Sequence, residues 1–427
     1  MMHMKTPKRM LAHVAEVKMN SFFVLVRLWL VGIFAFAVRA HCDGVNSTTG
    51  ANLRASWIRD VESTIPSRFV FDVNGGGELV YAAECIVRDR GGKRAGKLLR
   101  LGKIDREGMD ASLMTTPEEQ YGERFSCDAP FPIGIIAGNN SYSIVIVDSQ
   151  HRLAKIELSW GGEIIGTNWL SCDLKQYYAS RPRYQTIKPV GGDGYAVAGV
   201  LASSVAGGGA YIGVCDAVGQ VSWVDLYDGG KQNYVTSMHV EQGVVAVAVN
   251  SGEYDWMGGG ADSTVNAAVY DRYGARLRKE AFRGRSGSVC SSGGDLYVVY
   301  DGGDGIALRR ILLRRFGESS GGVKEWTVAA WSNVDVPGVF RVAVVAGGVL
   351  VVGVVPGENP DDVFEARLLV AHYSEDGLKW EWSTNARPPI GDSLQLALNG
   401  KRLYVSYETI LPGSGRAGVR VAAIDLR

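Results

Sequence analysis

"GVRVAAIDLR", residues 418–427, brings the sequence to its last residue on what reads as a β-strand, with Val419, Val421 and Ala423 at alternate positions and Asp425 after them. Earlier copies of the pattern run on through a turn into one more strand, often carrying tryptophan. This copy does not. A segment of that missing kind stands near the other end of the protein: "RASWIRDV", residues 54–61, has the form of the tryptophan strand, with Trp57 in place. The two readings together predict a ring in which the N-terminal strand completes the C-terminal sheet. Closure of this kind removes the free sheet edges that otherwise template aggregation.

The intervening sequence supports the ring. A glycine followed by a short apolar run recurs at Gly77, Gly134, Gly194, Gly243, Gly294, Gly348 and Gly400, at spacings of 57, 60, 49, 51, 54 and 52 residues. A short strand precedes several of these anchors ("RFVFDV", "TSMHV", "FRVAVV", "LQLAL"). A third strand follows ("YSIVIVD", "AYIGVCD", "NAAVYD", "LLVAHYS", "VRVAAID"). It runs into Asp-x-x-Gly or a near variant at Asp216, Asp271 and Ser374, where Asp caps its own turn and Gly takes positive φ. A fourth strand then brings Trp160, Trp223, Trp326 or Trp380. In the first copy the fourth strand falls near "ASLMTTP". A repeat of about fifty residues and four strands is a β-propeller blade. The expected fold is all-β: a seven-bladed β-propeller of four-stranded blades over residues 54–427, preceded by a short linker at 41–53.

Composition agrees. The protein has 427 residues, 46% hydrophobic, with 55 glycines and 13 prolines, and amphipathic helical runs of useful length are hard to find. The formal net charge is zero. Residues 1–40 hold six Lys/Arg and one Glu, so the remainder carries 39 basic and 44 acidic residues. That balance argues against general nucleic-acid binding, which needs a basic field.

Residues 1–40 read as a signal peptide. Lys5, Lys8, Arg9 and Lys18 lie before an apolar run from Leu28 to Val38, and Val38 and Ala40 suit a cut before His41; Met19 is an alternative start. A membrane span needs ~20 apolar residues and Arg27 interrupts this one, so membrane association is expected only if the segment is retained as an anchor. The expected location is secreted or extracytoplasmic. Cys42, Cys85, Cys127, Cys172, Cys215 and Cys290 all follow the cut, an even count that permits disulfides but fixes no pairing; buried thiols are the alternative. Asn46 and Asn139 head N-glycosylation sequons.

"GYAVAGVLASSVAGGGAYIGVCDAVGQVSW", residues 194–223, resembles the secreted propeller repeats of the SBBP and delta-60 type, and residues 243–274 fit the same outline. More distantly, the Asp-x-x-Gly turn followed by Trp resembles quinoprotein-like (PQQ-like) repeats. The resemblance covers roughly residues 54–427 and implies a fold rather than an activity. Quinoprotein dehydrogenases often carry adjacent cysteines beside their cofactor. This protein has no Cys-Cys pair, so PQQ is not expected and no cofactor is assigned.

Motifs for chemistry are sparse. "GSGRAG" at 413–418 is a literal GxGxxG but falls in the loop between the second and third strands of the last copy, where a hairpin loop is the simpler reading. "SEDGLKW" at 374–380 resembles a sialidase Asp-box with a residue missing between Asp and Gly, and reads as the blade turn. There is no HExxH or GxSxG, and only His151, His239 and His372 lie in the repeats. Calcium is the ion that the acidic loops at Asp301 and Asp304, and at Glu358, Asp361 and Asp362, would suit, but neither matches the EF-hand ligand pattern, so solvated turns are the simpler reading.

Two long segments are rich in binding-type side chains. Residues 251–262 carry Tyr254, Trp256 and Met257 in a loop between second and third strands. Residues 168–185 carry Trp169, Tyr177, Tyr178, Arg181 and Arg183 between blades. In a propeller these two kinds of loop share one face, and Tyr, Trp and Arg are enriched at hot spots. The alternative is that the rings fold back as caps on the blades. The expectation is a non-enzymatic exported scaffold with a protein or glycan partner. The rival is a propeller enzyme (hydrolase, lyase or quinoprotein-like oxidoreductase) working at the central channel.

Overall fold

The structure, a computed structural model, describes residues 53–61, 69–88, 94–117, 120, 131–147, 152–170, 182–191, 194–201, 209–216, 220–227, 232–252, 263–302, 309–317, 322–331, 339–357, 365–389, 393–411 and 417–426. No α-helix occurs among them, and the 28 strands form seven four-stranded antiparallel sheets in a ring.

Strand β1 (Arg54–Val61) comes first in the sequence but not in the first blade. Blade 1 is β2 (Phe69–Val73), β3 (Leu79–Arg88), β4 (Arg94–Ile104) and β5 (Asp110–Pro117). Blade 2 is β6 (Phe131–Ala137), β7 (Ser141–Val147), β8 (Leu153–Ser159) and β9 (Ile164–Leu170). Blade 3 is β10 (Pro182–Gly191), β11 (Gly194–Leu201), β12 (Ala210–Cys215) and β13 (Val221–Tyr227). Blade 4 is β14 (Gln232–Glu241), β15 (Val244–Gly252), β16 (Thr264–Tyr270) and β17 (Arg276–Arg283). Blade 5 is β18 (Arg285–Ser292), β19 (Asp295–Asp301), β20 (Arg309–Phe316) and β21 (Val323–Trp331). Blade 6 is β22 (Val339–Val345), β23 (Gly348–Pro356), β24 (Ala366–Ser374) and β25 (Gly377–Ala386). Blade 7 is β26 (Gln395–Asn399), β27 (Arg402–Ile410) and β28 (Ala417–Asp425), with β1 as its outer strand.

The predicted closure is present. β1 pairs antiparallel with β28 from Arg54 opposite Asp425 to Val61 opposite Val419. Arg420 donates through Nε and Nη2 to the two carboxylate oxygens of Asp60, at 2.8 and 3.1 Å. The fourth strand of blade 1 lies at "ASLMTTP", as expected.

Blade 2 differs from the sequence reading. Gly134 does not open a second strand; it sits inside β6, the first strand of its blade. "SYSIVIV" is therefore the second strand rather than the third, and Trp160 lies in the turn after β8, not on the fourth strand. A five-residue apolar run suits an inner or a second strand equally, so the anchor alone could not set the register.

Packing explains why the central strands are near-continuous apolar runs. Each of seven hydrophobic clusters is shared by two adjacent blades. Both sides of a blade are thus covered, and β15 and β23 are buried along most of their length.

A second link joins some neighbours. The outer-strand Trp57 donates from Nε1 to Arg106 O at 3.1 Å, in the Asp105–Gly108 turn of blade 1. Trp223 of blade 3 does the same to Arg272 O at 3.2 Å in blade 4. At Gly274, φ is +89° and an added Cβ would stand 2.5 Å from the Trp223 ring, so the turn has room there only for hydrogen. Asp271 Oδ1 accepts from the Tyr273 and Ala275 amides, both at 2.9 Å, which fixes the turn.

Candidate functional site

Strand direction sorts the connections. Loops between second and third strands, and loops between blades, open on one face. The first-to-second and third-to-fourth turns open on the other. The first of these is called the loop face.

Of the expected residues, Trp169 is the one whose side chain is described there, and its setting differs from the expectation. It lies on β9, paired with Ala154, rather than in an inter-blade loop. Its ring is 38% exposed, although it stands in a strand. The guanidinium of Arg152, just before β8, lies 4.4 Å from the ring centroid. Ile165 on the same strand is 60% exposed. Arg183 lies on β10 opposite Val200, with its side chain outside the described set. Tyr177, Tyr178, Arg181, Tyr254 and Trp256 lie outside the described residues, as does Asn46. Asn139 is exposed in the β6–β7 turn, on the opposite face, where its carbonyl accepts from Trp160 Nε1 at 3.1 Å.

Buried polar groups gather at the loop-face ends of three second strands. Asn250, Asp301 and Glu408 each stand six residues after the first residue of their strand, and each is at most 7% exposed. In blade 4, Asn266 Nδ2 donates to Ser251 Oγ at 3.0 Å, Ser251 donates to Asn233 Oδ1, and Asn250 Nδ2 donates to Tyr234 OH at 3.1 Å. In blade 5, Asp301 is held by Arg285 at 3.1 Å and by the Arg310 amide at 3.4 Å. Asp301 is thereby tied to its own blade; Asp304, Glu358, Asp361 and Asp362 lie outside the described residues. In blade 7, burial pushes the Glu408 carboxyl up to about 7.

The inner strands bring together charges that no local motif joins. Asp72 on β2 accepts from the Ala137 amide of blade 2 at 2.9 Å, and burial raises its carboxyl above the usual range. His239 on β14 is pushed down to about 4 by burial and by the charge of Lys188 on β10, which also acts on Asp72. The imidazole is therefore neutral at pH 7, and its buried Nδ1 has no hydrogen-bond partner among the described residues. No group of three His, Cys, Asp or Glu among the described residues could hold a metal. Cys85, Cys215 and Cys290 lie in three different blades, and no disulfide joins any two of them. Burial pushes the Cys290 thiol well up, which makes it unreactive. Cys42, Cys127 and Cys172 lie outside the described residues.

No family model matches this sequence, and no curated protein matches it. Support at family level for the SBBP, delta-60 or quinoprotein-like resemblance is thus lacking. Among solved structures the protein is similar to a subtype N10 neuraminidase-like protein of A/little yellow-shouldered bat/Guatemala/060/2010, at 7% identity and a TM-score of 0.38, with 68% of this protein and 93% of that one covered. It is also similar to a subtype N11 neuraminidase-like protein of A/flat-faced bat/Peru/033/2010, at 9% identity and a TM-score of 0.37, with 83% of this protein and 96% of that one covered. Likenesses of this degree carry no inference about activity.

Proposed function

We propose that this protein is an exported interaction scaffold that binds a protein or glycan partner through the loop face of its propeller. The observation that carries the reading is the Arg152–Trp169 pair. An indole on a strand would ordinarily be covered, yet this one is exposed and stacked under a guanidinium at the rim of that face. Aromatic rings of this kind are hot-spot residues for proteins and stacking platforms for sugar rings, and the bound Arg costs little further ordering on contact. The described strands that flank the aromatic segments 171–181 and 253–262 end on the same face, which supports including those segments in the reading. Export rests on residues 1–40 and on the sequons.

The test is a glycan array together with photo-crosslinking to intact cell surfaces. It compares wild type, Trp169→Ala, and a Tyr177→Ala, Tyr178→Ala, Trp256→Ala variant. Loss of signal at an unchanged melting temperature supports the reading. Full retention of partner binding in both variants refutes it.

A rival enzymatic reading would rest on Asp72, Lys188 and His239, titratable groups that act on one another across the inner strands. Hydrolysis of a chromogenic ester or glycoside that disappears in His239→Ala would select it.

A further inference from the structure

On the face opposite the loops, the junction of blades 3 and 4 opens into a groove of about 480 Å³, lined by Pro189, Val190, Gly191, Val240, Gln242, Gly243 and Arg272. We infer that this groove binds a small carboxylic acid, with the carboxylate held by Arg272 and Gln242 and an apolar body on Pro189, Val190 and Val240.

Three observations carry this. The first is an unneutralised cation held in place. Arg272 stands in the fixed Asp271–Gly274 turn, its carbonyl is tied to Trp223, and its guanidinium lies 4.7 Å from the Tyr273 ring and donates to the Tyr273 hydroxyl. No carboxylate among the described residues pairs with it. The equivalent turn of blade 6 carries Glu375, which is bonded by Arg315 at 2.5 Å and through its carbonyl by Lys324 at 2.9 Å. The turn residue of the blade 5–6 junction is thus satisfied by ion pairing and hydrogen bonding, whereas Arg272 at the blade 3–4 junction has no ion-pair partner among the described residues.

The second is strain. Gln242 is the one described non-glycine residue with positive φ, +50°. It begins a two-residue hairpin turn with Gly243 at +80°, a geometry that favours Asn-Gly or Gly-Gly. Blade 5 uses Gly293 and Gly294 at the corresponding place. An amide kept where glycine would relax the backbone points to use of that amide.

The third is convergence. A Cβ built on Gly243 would lie 3.7 Å from Arg272 Cδ and 3.8 Å from Val190 O, so the hairpin turn, the arginine stem and the β10 end border one space. A planar guanidinium and a primary amide on adjoining turns supply the donor types a carboxylate takes, while the apolar floor disfavours a bare, strongly hydrated ion.

The experiment uses the full-length protein and fluorine NMR titration. The probes are 4-fluorophenylacetate, its neutral amide, 4-fluorophenyl phosphate, and N-acetyl-Gly-(4-fluoro-Phe) with a free α-carboxylate. The acid should bind at least tenfold more tightly than its amide, and more tightly than the phosphate. Arg272→Gln and Gln242→Gly should each weaken it fivefold or more. Gln242→Gly should melt no lower than wild type, because the turn geometry improves. Trp169→Ala, on the other face, should leave the affinity unchanged, which separates this inference from the loop-face reading. A peptide that binds more tightly than the free acid identifies a polypeptide α-carboxylate as the source; a weaker one identifies a free acid. Absence of acid binding, equal binding of the amide, preference for the phosphate, or unaltered affinity in both groove variants would overturn the inference.

Discussion

Removing one indole should loosen the whole ring. Trp57 belongs to β1, is 8% exposed, sits in the cluster shared by blades 7 and 1, and donates to Arg106 O at 3.1 Å. An indole of this burial removes ~200 Å² from water, worth ~5 kcal/mol at ~25 cal/mol/Å². Measured aromatic-to-alanine changes in cores fall at about 3–5 kcal/mol, and a carbonyl deprived of its donor costs ~1 kcal/mol. Trp57→Ala should therefore lose about 4 kcal/mol, a large share of the ~5–15 kcal/mol typical of folded domains. Trp223 makes the same hydrogen bond within an uninterrupted part of the ring, but its ring is only half-buried, so Trp223→Ala should lose about 2 kcal/mol. Urea unfolding followed by tryptophan fluorescence and circular dichroism measures both, with the slope checked for a change in cooperativity. Limited proteolysis should also cut Trp57→Ala near Arg420 before it cuts Trp223→Ala. A loss under about 1 kcal/mol in Trp57→Ala, or the reverse order of the two variants, would refute the idea that this side chain fastens the closure.

Gly274→Ala should cost ~2 kcal/mol or more, because positive φ and a Cβ 2.5 Å from Trp223 both oppose it; an unchanged urea midpoint would contradict the docked geometry. Glu408 binds its proton more tightly folded than unfolded, with a folded value of about 7 against 4.5 for the free side chain. Its stabilising effect is complete below about pH 4.5 and is lost as pH rises through 7. Glu408→Gln should match wild type near pH 4 and exceed it at pH 8 by on the order of 2 kcal/mol after allowance for solvent screening. A difference curve that is flat from pH 4 to 8 would reject that assignment. His239 works in the opposite direction: its folded value of about 4 means stability falls as pH drops from 6.5 towards 4, so His239→Gln should remove that acid-side slope. Trp169→Ala, on the surface, should shift stability by no more than ~0.5 kcal/mol whatever it does to binding, as thermal unfolding can check.

The ring was legible because its clues are local and repeated. Trp57 and the last strand each carry their own pattern, and each Asp-x-x-Gly turn announces a strand end. The same turn at Asp105–Gly108 is a literal match that would have fixed blade 1 directly, since Asp105 Oδ1 accepts from the Glu107 and Met109 amides. Gly134 misled because a short apolar run has the same period in every strand of a blade, and only its distance from the next turn tells which one it is. The candidate sites were less legible for a different reason. Asp72, Lys188 and His239 come from three inner strands in three blades, and nothing adjacent to any of them in sequence marks a shared field. Gln242 and Arg272 stand 30 residues apart in two turns of blade 4 that the pairing of β15 with β16 sets side by side, and the positive φ that distinguishes Gln242 is not written in its residue type. Trp169 was identified as a binding candidate, but a tryptophan near a strand end reads the same way whether its ring faces water or a neighbouring blade.

The pairing of β1 with β28 also sets the order in which the molecule can be made. Ser56 Oγ donates to Asp425 across 369 residues of sequence. On a ribosome, blades 1 to 6 can each assemble from contiguous sequence soon after they emerge, whereas β1 must wait, unpaired, for almost the entire synthesis time. During that interval its backbone donors and acceptors are a vacant template for other strands, and its charged side chains, Arg59 and Asp60, are the local protection against such pairing. The meeting of the earliest and the latest strand is a contact of very high sequence separation, and the loop-closure cost of such a contact falls once the intervening blades have bent the polypeptide back on itself.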